Sequence, residues 1–67
     1  MKGVGEIHCA EGYVRVNTEP HGAKGHIQIS ISNSGYTEGP PMTVEQAVAL
    51  MALIDCALAV VIAEGVA

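Results

Sequence analysis

From Val4 to Ser32 hydrophobic and polar residues alternate, which is the period of a strand with one covered face. Three segments carry the pattern. In residues 4–9, Ile7 and Cys9 fall on one side and Glu6 and His8 on the other, and in 13–18 Val14 and Val16 oppose Tyr13, Arg15 and Asn17. Residues 25–32 alternate Ile27, Ile29 and Ile31 with His26, Gln28, Ser30 and Ser32, a β-branched strand with a wet outer face. Ala10-Glu11-Gly12 reads as a short turn and Glu19 to Gly25 as a longer one, with glycines at left-handed positions. The pattern predicts a three-stranded antiparallel meander.

Residues 33–42 hold Asn33, Ser34, Gly35, Gly39, Pro40 and Pro41 and read as a loop leaving the sheet. The period then changes. Thr43-Val44-Glu45-Gln46 fits a capping box, and Gly65 suits a helix C-terminus, so a helix is expected over about 43–64, roughly 32 Å long at 1.5 Å per residue. On a helical wheel Ala47, Leu50, Met51, Ile54, Leu58 and Val61 form a bulky stripe. Ala49, Ala52, Cys56, Ala59 and Ala63 form a small-residue stripe opposite. The bulky stripe is expected to cover the isoleucine face, giving a two-layer α+β domain of βββα order over residues 1–67. The small stripe, spaced by 3 and 4, is expected to be the seam of a homo-oligomer.

Self-association follows from size as well as pattern. A chain of 67 residues buries only about 60% of its unfolded surface, and this helix offers no charged face to water, with Glu45, Gln46, Asp55 and Glu64 scattered around it. Ala47 to Ala63 approaches the roughly 20 residues that span a bilayer. Asp55 interrupts that run near its middle, where a charge costs about 2.5 to 3.5 kcal/mol, and no Lys or Arg flanks it. A membrane partner is therefore disfavoured.

Composition removes other partners. Net charge is -4 with only three Lys and Arg, so the basic footprint that holds a protein on phosphate backbones is missing, and two tyrosines are the only aromatic rings among Phe, Trp and Tyr. Nucleic acid is not expected. Glu6, Glu11 and Glu19 argue equally against an anionic lipid surface. Two cysteines and no secretory apolar region after Met1-Lys2 point to a reduced, cytoplasmic setting.

For chemistry, His8, Cys9, His21 and His26 are candidate zinc or copper ligands. His8 and Cys9 are adjacent, however, and would point to opposite strand faces, so neither metal nor cofactor is expected. Cys9 is expected inward and Cys56 lies on the helix without a histidine neighbour, which leaves no activated nucleophile and no enzyme. The binding candidates are Arg15, the chain's one arginine, with Tyr13, His26 and Gln28 on the same outer face, since Arg, Tyr and His bind carboxylates and phosphates well. Tyr36 and Thr37, in the loop leading to the positive end of the helix, are the second set.

The polar strand and Gly/Pro loop leading into Thr43-Val44-Glu45-Gln46-Ala47 and an Ala/Leu-rich helix resemble very short proteins of actinobacterial phages and their hosts. The resemblance covers about half of the chain and carries no functional residues over. It implies a setting of small inhibitors or sponges, which block a host protein or sequester its nucleotide signal. The expectation is a non-enzymatic, homo-oligomeric binding protein that meets a host protein or a small anionic ligand. The alternative is a structural or membrane-associated protein acting through its apolar helix.

Overall fold

The computed structural model describes residues 2–65. It is an α+β structure. Strands β1 (Lys2–Cys9) and β2 (Gly12–Thr18) are followed by a short 3-10 turn (Pro20–Gly22), then β3 (Ile27–Ser32), β4 (Tyr36–Glu38) and the C-terminal helix α1 (Val44–Ala63). The strands form one antiparallel sheet in chain order. The sheet thus has four strands where three were expected, because β4 lies inside the stretch read as loop. Three residues are too few to display an alternation. Ser34, at φ 58, turns the chain back, and the Gly39 N–H donates to the Ile29 carbonyl at 2.8 Å.

Pairing fixes which residues share a face. One row runs Ile7, Val14, Ile31, Thr37 across the four strands, and beside it Val16 pairs Ile29, so the apolar face is continuous. The opposite face carries the row Glu6, Arg15, Ser30, Glu38 and the row His8, Tyr13, Ser32, Tyr36. Between Gly3 and Gly5 the register shifts, a bulge that sets Val4 out of the ladder.

Burial inverts the expected arrangement. Among the described residues no hydrophobic side chain is buried, whereas Asn17, Gln28 and Ser30 on the polar face are at most 1% exposed. The cover is the β2–β3 connection. Pro20 is buried, and His21 Nε2 lies 3.2 Å from Glu38 Oε2, which draws that turn across the polar face toward β4. Asn17 Nδ2 donates to Ser30 Oγ at 2.8 Å and Gln28 Nε2 to the Gly39 carbonyl at 2.9 Å, so the buried amide donors find acceptors as burial demands.

The helix begins where the sequence places it. Thr43 Oγ1 accepts from the Gln46 N–H at 3.2 Å while Gln46 Oε1 accepts from the Thr43 N–H at 2.9 Å, the reciprocal capping box. Gly65, at φ 76, closes the other end, its N–H donating to the Ile62 carbonyl. The expected two-layer packing is not formed, however. The bulky stripe makes no extensive contact with any strand, and residues 51–63 are all exposed. The reason is the connector. Met42 exchanges two backbone hydrogen bonds with Ile27, at 2.9 and 2.7 Å, directly before the Thr43 cap, and Pro40 and Pro41 have fixed φ. The helix therefore leaves the sheet edge with no loop between bridge and cap.

Candidate functional site

The polar face divides into a covered half and an open half. The open half is built by cross-strand pairing of Glu6 with Arg15 and of His8 with Tyr13, at separations that let long side chains meet. Arg15 Nε and Nη2 both donate to Glu6 Oε1, at 3.0 and 2.9 Å, and His8 Nε2 lies 2.9 Å from Glu6 Oε2. The Arg15 guanidinium sits 5.1 Å from the Tyr13 ring centroid, within the range of a cation–π contact. The His8 and Tyr13 rings are tilted at 6.0 Å. One carboxylate therefore gathers two basic side chains over one aromatic ring.

The electrostatics follow from that geometry. The Arg15 hydrogen bond is the main cause that holds the Glu6 carboxyl below its ordinary value; desolvation, the next largest influence, opposes it, and the charges of Arg15 and His8 reinforce it. The same hydrogen bond raises Arg15, with a further contribution from the Tyr13 phenol. Guanidinium has five N–H donors, and among the described residues Nη1 has no protein partner. A shallow groove of about 220 Å³ lies here, lined by Gly3, Val4, Gly5, Glu6 and Arg15.

Of the residues singled out in the sequence, the structure brings Arg15 and Tyr13 into direct contact and sets Tyr36 on the same face, opposite Ser32. Gln28 is not an open companion. It shares the face but is buried, bonded to the Gly39 carbonyl, with its Oε1 lacking a hydrogen-bond partner. His26 lies before β3 with its Nδ1 3.0 Å from the Lys24 carbonyl. Thr37 faces the other way, pairing Ile31 in the apolar row, because Tyr36 and Thr37 belong to a strand, where neighbours alternate. Cys9 is exposed and not inward, and Cys56 is also a free, exposed thiol. The small stripe Ala49, Ala52, Cys56, Ala59 and Ala63 is exposed throughout.

Glu6, which organises the open cluster, is placed by the sequence on the same outer face as Arg15 but is not singled out there as a binding residue. A signal for it existed in the register. The hairpin of β1 and β2 pairs Cys9 with Gly12, and counting back from that turn puts Glu6 opposite Arg15, an opposite-charge cross-strand pair. No protein-family model, curated protein or solved structure matches the chain.

Proposed function

We propose that this chain is a non-enzymatic, homo-oligomeric binding protein, in which the helix and the apolar sheet face make the assembly and the Arg15 cluster meets the ligand. The observation that carries the reading is that, among the described residues, no hydrophobic side chain is buried and many are largely exposed, among them Ile7 at 67%, Met51 at 68% and Leu53 at 68%. With so little apolar area buried, little offsets the conformational entropy of ordering the chain. A second copy supplies that burial. On the open polar face Arg15 suits a carboxylate or phosphate that competes with Glu6 for its donors. In the setting implied by the sequence resemblance, such a protein acts as an inhibitor or sponge, capturing a small nucleotide-like anion or blocking a host protein. Light scattering on chromatographed protein without detergent tests the assembly: a mass above one chain supports it, and a folded monomer refutes it.

A second reading, a membrane-associated protein, is favoured by one observation: α1 is long and apolar enough to cross a bilayer, with a mean hydropathy of 2.3 over its most apolar window. Magnitudes weigh against it. The nine Val, Leu and Ile residues of α1 contribute about -3 to -5 kcal/mol on insertion scales, and Asp55 near the centre takes back about 2.5 to 3.5. Insertion is left near break-even. A bilayer around α1 also leaves the apolar sheet face bare, whereas a second copy covers both.

A further inference from the structure

We infer that two copies of this chain exchange helices, the α1 of each lying on the apolar sheet face of the other. This rests on the homo-oligomeric reading and goes beyond it by naming the two surfaces that meet and the segment that makes the contact intermolecular.

Surface area gives the first argument. A compact folded chain of 6.9 kDa exposes about 4,000 Å², while this one exposes 5002 Å². The excess of about 1,000 Å² is close to the roughly 800 Å² that one partner contributes to a standard stable interface. Shape agrees. The radius of gyration is 13.5 Å, against about 11 Å for a compact domain of this length, so the excess comes from a helix held away from the body.

Complementarity gives the second. The row Ile7, Val14, Ile31 and its neighbours Val16 and Ile29 are β-branched and unaccompanied by charge, the surface on which a helix packs. α1 has 20 residues and is about 30 Å long, enough to overlie the full length of β1 or β2 at about 3.3 Å per residue. Among the described residues there is one such face and one such helix, and they do not pack on each other.

The connector decides between folding back and crossing over. The two-bond bridge of Met42 to Ile27 holds the chain on the β3 edge, and the capped helix starts with no intervening flexible residue. A short, stiff hinge that prevents an element from reaching its own site while leaving a partner's accessible is the condition for exchange between identical chains. The contact is isologous, each copy giving a helix and taking one, which closes the assembly as a dimer.

Two measurements test this. In the first, a flexible Gly/Ser segment of about eight residues, spanning about 16 Å, is inserted between Met42 and Thr43. With that slack each helix reaches its own sheet, and the mass by light scattering falls from two chains to one. If the unaltered protein is dimeric and the extended one stays so, exchange is wrong while self-association stands; if the unaltered protein is already a folded monomer, or is recovered only in lipid or detergent, both fail. The second works without changing the hinge. Val14→p-benzoylphenylalanine places a photo-crosslinker on the apolar face, and trypsin cuts after Arg15 and Lys24, separating residues 3–15 from 25–67. Heavy and light isotopic forms of the protein are refolded together and irradiated. Exchange gives sheet-to-helix products that mix heavy and light peptides at the statistical proportion, whereas products of a single isotope throughout, or none reaching α1, overturn it.

Discussion

Arg15 and Glu6 meet on adjacent strands through two hydrogen bonds to a single carboxylate oxygen, at 3.0 and 2.9 Å. The pair is on the surface, so its effect is modest and screened by salt, yet it has a direction. The folded-state value of Glu6 is depressed, and a depressed carboxylate stabilises the fold above its unfolded value and loses that contribution as pH falls through the folded one. Melting temperature should therefore fall as pH drops below about 4.5, and Glu6→Gln should flatten part of that fall. An unchanged acid limb in Glu6→Gln removes this pair from the acid response.

Arg15→Ala separates recognition from folding. A substitution on an open face changes stability by about 0.5 kcal/mol or less, while loss of a charge-assisted contact weakens ligand binding by about 1.5 to 3 kcal/mol, or roughly ten- to a hundredfold. Calorimetric titration with inorganic phosphate and a nucleoside monophosphate, beside a thermal melt, checks both. Equal binding by the parent and Arg15→Ala would move attention from this cluster to Tyr36.

The buried pair of Asn17 and Ser30 behaves differently. Ser30→Ala leaves the Asn17 amide without its acceptor in a site at most 1% exposed, which costs about 1 to 3 kcal/mol. Removing both polar groups in Asn17→Leu with Ser30→Ala should restore part of that loss. Urea midpoints decide, and a double variant no better than Ser30→Ala would show that the pair is held by shape.

Gly12 is constrained by space. A methyl group there would stand 1.7 Å from the Ser32 carbonyl oxygen, a backbone atom with no room to yield. Gly12→Ala should separate β2 from β3 at that end and destabilise by about 3 kcal/mol or more, beyond the usual range for a single substitution. A melt within a degree of the parent would refute the close approach.

Ala52→Arg tests the helix. An arginine in the small stripe places a charge where a helix seam would be closed, so the protein should lose oligomeric mass or precipitate. A folded Ala52→Arg protein of unchanged mass removes Ala52 from the interface, leaving the contact of α1 with the partner's sheet to be tested by itself.

The sequence determined the local structure because local structure depends on neighbours. Strict alternation in Gly25 to Ser32 gave β3, and Thr43 with Gln46 gave the start of α1 to the residue, since a capping box needs only its own four positions. β4 was not legible because Tyr36–Glu38 is shorter than one readable period, and it took Tyr36 and Thr37 out of the loop to opposite faces. The direction of burial was decided only by tertiary structure. Alternation separates two faces but does not say which is covered. Here the turn through Pro20 and His21 lies over Asn17, Gln28 and Ser30, while the bridge of Met42 to Ile27 carries α1 off the isoleucines. Both are long-range contacts, fixed by where the chain is pinned and not by the pattern of residues along it.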